Sequence, residues 1–221
     1  YNNSWGDFDF NATLGGNLYK VNNQTIVTTA KDMKIRDVVA LMSFNEVSVE
    51  PYSYRKQINS VYGAVNLGWK HMLYFDATLR GDQSSTLPIS NNMYIYPSFS
   101  GSFVFSELLK LGDKLPYGKV RMSWAQVGSD TDPYQLGLVY TKSKFAYPGY
   151  TIGYISNGTI PNKDLKPTKT NSFEMGLELK FLKNRIGLDF TYYSQLSKNQ
   201  IMGMASSSTS GYGLSLIHIS E

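Results

Sequence analysis

Carboxylate groups recur in this sequence at spacings that could support acid–base chemistry, in which one group donates a proton and another accepts it. Five of them and one arginine stand inside segments that are otherwise apolar: Asp9, Asp76, Arg121, Glu174, Glu178 and Asp189. Each occupies the polar position of a series in which apolar and polar residues alternate. Because an unpaired charge is costly to bury, this placement favours a polar surface in contact with water over a catalytic pair.

A second set of residues with binding chemistry lies in a part of the chain that is rich in tyrosine and glycine. It comprises Asp130, Asp132, Tyr134, Tyr140, Tyr147, Tyr150, Tyr154 and Asn157. Tyrosine rings pack on the apolar faces of sugars, and carboxylate and amide groups hydrogen-bond to sugar hydroxyls. We predict a ligand-binding loop here. The alternative is that these tyrosines pack the loop onto itself.

Motifs for metal binding and catalysis are missing from the sequence. Asp130 and Asp132 could offer oxygen atoms to calcium, but the spacing and the glycine of an EF-hand loop are lacking. The chain has no cysteine, which excludes disulfides, thiolate metal sites and cysteine nucleophiles. No Gly-x-Ser-x-Gly elbow, P-loop or His/Glu metal cluster occurs. We therefore predict no enzymatic activity, no metal site and no cofactor.

The composition indicates a β protein. Charged residues make up 17% of the chain and aromatic residues 14%, whereas a soluble domain averages roughly 25% charged residues. No apolar run reaches the roughly 18 residues of a membrane-spanning helix, and the mean hydropathy is −0.28. Strands that alternate lipid-facing and lumen-facing residues have such an average. The net charge of +4 is dispersed along the chain, so we predict no nucleic-acid partner.

Alternation with a period of two residues predicts the strands. Its apolar positions, expected to share the lipid side, are Phe8, Phe10, Val65, Leu67, Phe75, Leu79, Phe103, Val120, Leu177, Leu179, Leu188 and Phe190. Tight turns at residues 70–72 and 182–185 alternate with longer polar loops at 81–93, 128–133 and 144–169, which is typical of outer-membrane barrels. Residues 31–42 have apolar residues at helical spacing and predict either a short helix or an irregular loop.

The predicted fold is all-β, with antiparallel up-and-down strands, about eight in number, forming a sector of a large transmembrane β-barrel. A barrel closed from only eight strands is narrow and filled by side chains. The charged residues within the strands need a wide, wet lumen instead. We therefore predict that Asp9, Asp76, Arg121, Glu174, Glu178 and Asp189 face the lumen. A soluble β-sandwich also alternates and is the alternative fold.

Several segments resemble the SusC/RagA family of TonB-linked outer-membrane transporters. They read VYG at 61–63, MLYFDAT at 72–78, RGDQSSTLP at 80–88, NNMYIYPS at 91–98, VFSEL at 104–108, VRMSWAQVG at 120–128 and LKPTKT at 165–170, followed by similarity over 184–201. Their order is that of the C-terminal half of the family's barrel.

The resemblance implies a 22-stranded barrel in the cell outer membrane, in contact with membrane lipid. It also implies an N-terminal plug and a TonB-contacting segment that these residues do not include, and a surface lipoprotein lid of the SusD type. The implied activity is TonB-driven import of a bulky polar nutrient, an oligosaccharide first and a peptide second. A passive porin and a secreted glycan-binding β-sandwich are the alternatives.

The two ends of the chain carry separate expectations. The absence of an initiating Met and of a signal peptide predicts that the native start is missing. Residues 214–221 resemble the translation of an adapter used in sequencing libraries. We therefore predict a partial barrel over residues 1–213 and a non-native tail over 214–221. The alternative for the tail is a genuine apolar strand.

Overall fold

The computed structural model describes residues 1–109, 115–142, 150, 152–155 and 158–219. Seven long strands dominate it: β2 (Phe8–Met33), β3 (Phe44–Trp69), β4 (Leu73–Ser84), β5 (Met93–Phe103), β6 (Tyr117–Ser129), β10 (Thr168–Phe181) and β11 (Ile186–Lys198). The shorter strands are β1 (Asn2–Trp5), β7 (Tyr140–Lys142), β8 (Gly153–Ile155), β9 (Thr159–Ile160), β12 (Gln200–Ala205) and β13 (Leu214–Ile219). A five-residue helix, α1 (Phe105–Leu109), follows β5.

The main sheet has eight strands in the order β1-β2-β3-β4-β5-β6-β10-β11, and every pair in it is antiparallel. This confirms the predicted all-β fold of antiparallel up-and-down strands. Strands β12, β13 and β9 form a small separate sheet, and β7 pairs with β8. Among the residues described, no helix is long and apolar enough to cross a membrane.

The tight turns lie where the sequence predicts them. Residues 70–72 connect β3 to β4, and residues 182–185 connect β10 to β11. Lys70 and His71 have φ of 50° and 55°, and Leu182, Lys183 and Asn184 have φ between 49° and 65°. Positive φ matches the right-handed twist of the strands that such short connections join.

The helix considered for residues 31–42 is wrong. Strand β2 continues to Met33 and β3 begins at Phe44, and the register is the same from Phe8↔Trp69 to Met33↔Phe44. Only residues 34–43 remain for the connection, which holds a single 3-10 turn, Leu41–Ser43. Helices this short are marginal without tertiary packing, and each residue added to the β2–β3 ladder gains backbone hydrogen bonds instead.

Several other segments differ from the sequence-based expectation. Strand β4 runs on to Ser84 and β6 to Ser129, so both loops are shorter than predicted. Strands β2 and β3 have 26 residues each, so both extend well beyond the apolar positions that the alternation identified. The alternation of β5 ends at Phe103, and Phe105 begins α1, with its ring over Gly118, where a Cβ atom would meet it at 2.3 Å.

The register gives the main sheet two chemically distinct faces, because residues directly opposite each other on paired strands point to the same side. One continuous row reads Phe10, Leu67, Phe75, Gly101, Met122, Met175 and Tyr192. The next row reads Asn11, Asn66, Asp76, Ser100, Ser123, Glu174 and Tyr193. We call the side of the first row the apolar face and the side of the second row the polar face.

The only buried hydrophobic cluster among the described residues lies on the polar face, toward the loop end of the strands. It consists of Leu87, Tyr94 and Leu165, with Tyr96, Leu136 and Ile201 packed against it. The apolar face is exposed instead, up to 84% for Leu14 and 68% for Phe190. The loops therefore pack against the polar face of the sheet, and the apolar face is left uncovered.

Candidate functional site: the polar face and its loop cluster

The apolar face carries a band of hydrophobic residues that starts at the tight turns. On β2 the band runs from Phe8 to Leu18, a length of about 34 Å along the strand. At the tilt of strands in membrane barrels, this corresponds to a height of about 26 Å. Beyond the band, toward the loop end, the next position on the apolar face is polar on six of the seven long strands: Lys20, Asn59, Gln83, Gln126, Asn171 and Ser194.

Aromatic residues mark the turn end of this band. Phe8 and Trp69 are register partners with ring centroids 6.3 Å apart, and the Lys70 ammonium lies 5.2 Å from the Trp69 ring. Tyrosine, tryptophan and phenylalanine form such girdles where a barrel meets the membrane interface.

The carboxylates of the polar face are hydrogen-bonded. Asn66 Nδ2 donates to Asp76 Oδ1 at 2.6 Å, and Ser100 Oγ donates to Asp76 Oδ2 at 2.9 Å. Ser4 Oγ donates to Asp9 at 2.7 Å. These partners come from neighbouring strands in the same rows, so the pairing follows from the register.

Arg121 is the centre of the charged part of this face. Its guanidinium donates to Asp189 at 3.2 Å and to Thr191 Oγ1 at 2.7 Å, and its Nε lies 3.8 Å from Glu174 Oε1. Gly176 makes this reach possible, because a Cβ atom at that position would lie 2.4 Å from Arg121 Nε. The side chain thus crosses β10 over a glycine.

The sixth charged residue that sequence reasoning singled out, Glu178, lies 3.5 Å from the Lys180 ammonium. Register pairs place Asp9, Asp76, Arg121, Glu174, Glu178 and Asp189 on the polar face together. Their assignment to a lumen stays a prediction.

Toward the loop end, the same face becomes buried. Arg80 donates from Nε to Asp82 at 2.9 Å and from Nη2 to Ser60 Oγ at 3.1 Å. Tyr96 also donates its hydroxyl to Asp82, whose exposure is only 5%. Gly128 accommodates the Tyr94 ring, which would lie 2.6 Å from a Cβ atom there.

A polar cluster holds the loop at 130–137 against the sheet. Asp130 accepts hydrogen bonds from Lys56 Nζ at 2.7 Å, Ser84 Oγ at 2.5 Å and Thr86 Oγ1 at 3.2 Å. The Lys56 and Asp130 side chains are 15% and 10% exposed. Because its oxygens are occupied by these partners, Asp130 acts in this structure as an anchor for two loops.

The other residues of the predicted ligand-binding loop are dispersed. Asp132 accepts from the Tyr54 hydroxyl at 3.4 Å, and the Tyr134 hydroxyl accepts from the Arg55 N–H at 3.2 Å. Tyr134, Tyr140, Tyr150 and Tyr154 are 63%, 80%, 74% and 47% exposed. Tyr147 and Asn157 lie outside the described residues.

Tyr140 and Tyr154 share the β7–β8 hairpin but cannot stack on one ligand face. Tyr140 pairs with Ile155 and Tyr154 with Thr141, which are adjacent positions in the register. Neighbouring positions along a strand point to opposite sides, so the two rings lie on opposite faces of the hairpin.

Sequence reasoning missed the Lys56–Asp130 pair and the Leu87–Tyr94–Leu165 cluster. The two partners of the ion pair are 74 residues apart, and no local pattern links them. One signal was available for the cluster: Tyr94 and Tyr96 are large rings at polar-face positions, where a packing partner is needed.

Nearly the whole chain is similar to proteins of known families. Residues 1–215 match the family described as "TonB dependent receptor-like, beta-barrel". TonB-dependent receptor P3 of Formosa agariphila is 26% identical over 205 residues, covering 88% of this chain and 20% of that protein. TonB-dependent receptor SusC of Bacteroides thetaiotaomicron is 30% identical over 147 residues, covering 62% of this chain and 15% of that protein.

Among solved structures, that of the RagAB peptide transporter superposes with a TM-score of 0.87 at 20% sequence identity. The match covers 98% of this chain and 25% of that chain. This chain therefore spans 15% to 20% of the length of these curated relatives and 25% of the chain in the RagAB structure.

Proposed function

This chain belongs to the TonB-dependent receptor-like β-barrel family, a family of the outer membrane, and we propose that it forms part of the wall of an active importer for a bulky polar nutrient. We propose an oligosaccharide as the substrate class, with a peptide as the second candidate. The importer would work with the TonB complex and a SusD-like surface lipoprotein, through regions outside this chain. No enzymatic step is part of the function.

The observation that carries the proposal is the apolar band with its polar boundary. A height of about 26 Å agrees with the roughly 25 Å apolar belt of outer-membrane barrels. A secreted β-sandwich would cover this face with a second sheet. Leu14 and Phe190 are instead 84% and 68% exposed, and no second sheet lies over them in the described ranges.

The charged network of the polar face supports a wide lumen. The side chains of Arg121, Asp189 and Glu174 are 35%, 52% and 48% exposed. In a narrow closed barrel these groups would have to be desolvated at a cost of several kcal/mol per ion. Facing a water-filled channel, they remain hydrated while pairing with one another.

The substrate proposal draws on the exposed tyrosines of the loop. Tyr134, Tyr140, Tyr150 and Tyr154 present ring surface at the loop end of the strands, where an incoming ligand arrives first. Ring faces of this kind stack on sugars. The peptide alternative draws on the RagAB structure, which is of a peptide transporter.

The test measures uptake by Gram-negative cells that carry the complete protein in their outer membrane, with and without a functional TonB. Radiolabelled oligosaccharides and oligopeptides of matched mass would be supplied separately. We expect uptake of one class that disappears without TonB. Uptake that persists without TonB would instead establish a passive porin, and uptake of neither class would contradict the proposed substrates.

The loop contribution has its own test. Tyr140→Ala should raise the concentration for half-maximal uptake by about twofold to tenfold, the equivalent of one aromatic contact. Tyr192→Ala, on the apolar face, is the matched control and should leave uptake unchanged. Equal effects of the two substitutions would contradict a binding role for the loop.

A further inference from the structure

The β2–β3 hairpin extends beyond its neighbouring strand as a two-stranded ribbon, formed by residues 20–33 of β2 and 44–57 of β3. Strand β4 pairs with β3 only as far as Ile58, because β4 ends at Ser84. Over residues 44–57, the side of β3 that faces away from β2 has no strand beside it in the part of the chain that the structure describes. The ribbon therefore carries a free strand edge.

Hydrogen bonds at the base of the ribbon show which backbone groups lie on this free edge. The Ser85 N–H donates to the Gln57 carbonyl at 2.9 Å, and the Gln57 N–H donates to Ser85 Oγ at 2.9 Å. Two residues further along, the Arg55 N–H donates to the Tyr134 hydroxyl at 3.2 Å. Because the backbone groups of successive residues in a strand point to alternate sides, the odd-numbered residues of the ribbon part of β3 direct their N–H and C=O groups to the free edge.

Pro51 occupies one of these odd-numbered positions. A proline within a sheet is tolerated where the missing N–H would have pointed away from the neighbouring strand, and the β2–β3 pairing accordingly continues through Pro51↔Ile26. On either side of Pro51, the N–H groups of Val47, Val49 and Ser53 have no hydrogen-bond partner among the described residues. The free edge can therefore accept another strand, with one donor missing at Pro51.

The side chains that flank this edge differ between its two sides. On the side continuous with the polar face, Glu46 and Glu50 lie four residues apart, and no basic residue of β3 occupies that side over residues 44–55. On the opposite side, Val47 and Val49 are 45% and 59% exposed. A strand that pairs with this edge therefore meets two carboxylates on one side and apolar β-branched groups on the other.

We propose that the free edge of β3 binds an extended peptide, which adds to the ribbon as a third, antiparallel strand. In this mode of recognition main-chain hydrogen bonds supply the affinity, and alternate side chains supply the specificity. The peptide that fits carries lysine or arginine at two positions four residues apart, opposite Glu46 and Glu50. Its alternate positions carry apolar side chains, next to Val47 and Val49. Cross-strand pairs of opposite charge and of β-branched residues both stabilise such pairing.

A second copy of this chain fits the edge less well than a peptide does. If two copies paired antiparallel about Ser48, Glu46 of one copy would face Glu50 of the other, and like charges directly opposite each other destabilise paired strands. An oligosaccharide lacks the regularly spaced N–H and C=O groups with which a strand edge pairs. The inference deepens the peptide alternative of the proposed function, and it rests on that function for the position of the ribbon outside the membrane.

The experiment measures the binding of a fluorescent synthetic peptide to the complete protein, purified in a neutral detergent, by fluorescence anisotropy. The peptide alternates valine with threonine or lysine, and its two lysines are four positions apart. In the proposed pairing the valine amides face β3 and the other amides face away. N-methylation of the valine amides should therefore weaken binding by at least about tenfold. N-methylation of the lysine and threonine amides should change it by less than about twofold.

Variants of the protein test the same edge. Val49→Pro removes one N–H from the free edge and none from the β2–β3 ladder, so it should weaken binding by about twofold to tenfold. Glu46→Gln combined with Glu50→Gln should weaken binding by about twofold to 30-fold, but not for a peptide in which threonine replaces the lysines. Asp7→Asn combined with Glu107→Gln removes the same charge at the turn end of the strands and should leave binding unchanged. Heat-modifiable gel mobility reports whether each variant has folded.

Equal losses from the two N-methylated peptides, or an unchanged affinity of the double glutamine variant for the lysine peptide, would overturn the inference. If the peptide does not bind but the complete protein still imports its substrate in a TonB-dependent way, only the edge site is refuted. If the peptide binds with the expected pattern and neither substrate class is taken up, the edge site stands and the proposed function is refuted.

Discussion

Leu177→Arg tests the assignment of the apolar face to lipid. Leu177 is the third of five apolar positions on β10, from Phe173 to Phe181, and its register partners are Val120 and Phe190. It therefore lies midway along the hydrophobic band. An arginine there would place a guanidinium among hydrocarbon groups on both sides, with no carboxylate in its row.

The expected cost is about 2 to 4 kcal/mol, the value for arginine near the midplane on the lipid side of a barrel. This corresponds to a decrease of about 30-fold to 900-fold in the equilibrium constant for folding in the membrane. In water the cost would be small, because Leu177 is only half-buried. The size of the destabilisation therefore shows whether this face is in contact with lipid or with water.

The assay is reversible unfolding of the complete protein in lipid vesicles by denaturant, followed by tryptophan fluorescence and gel mobility. Ser123→Arg is the matched control, since Ser123 lies on the polar face between Ser100 and Glu174. An arginine at position 123 would face a carboxylate and water, so it should change the free energy of unfolding by less than about 1 kcal/mol. Equal destabilisation by the two arginines would refute the two-face assignment.

Two further substitutions test the polar face. Asp130→Ala should destabilise the fold by about 3 to 5 kcal/mol, because it leaves the Lys56 ammonium buried without its partner. Thermal unfolding would measure this cost, and limited proteolysis would detect the released loops. Unchanged protease resistance would contradict the anchoring role. Gly176→Ala should cost about 1 to 3 kcal/mol by displacing Arg121, measured by thermal unfolding. Gly187→Ala, where an added Cβ meets nothing within 4 Å, is the control and should be near neutral.

The β2–β3 hairpin is longer than the alternation in the sequence indicates, and loop contacts hold its base. Strand β4 pairs with β3 only up to Ile58, so the hairpin continues alone for 14 further residues of β3, from Phe44 to Gln57. That is about 45 Å of two-stranded ribbon beyond the neighbouring strand. Its base is held by loops, through Ser85 N–H to the Gln57 carbonyl at 2.9 Å and through the Lys56–Asp130 pair.

The amino-acid sequence by itself determined the alternating central parts of the long strands, the tight turns and the partition into two faces. The physical reason is local: side chains alternate at every residue, and a one-residue slip of β2 would move Phe10 and every other apolar residue of that series to the wrong side. The same alternation placed Asp76 and Glu174 on one face before any contact was known. The tyrosine-rich loop is also evident from the sequence, but the directions in which its tyrosine rings point are not.

Only the tertiary structure decided which polar residues meet. Lys56 and Asp130 are 74 residues apart, and they meet because the sheet brings the end of β6 opposite the interior of β3, across β4 and β5. Likewise Leu87, Tyr94 and Leu165 form one cluster because three separate segments converge on the polar face. Tyr140 and Tyr154 were expected in one binding loop, but the hairpin register turns them to opposite sides. Loop contacts of this kind follow from the order and register of the strands in the sheet, which no periodicity within a single segment encodes.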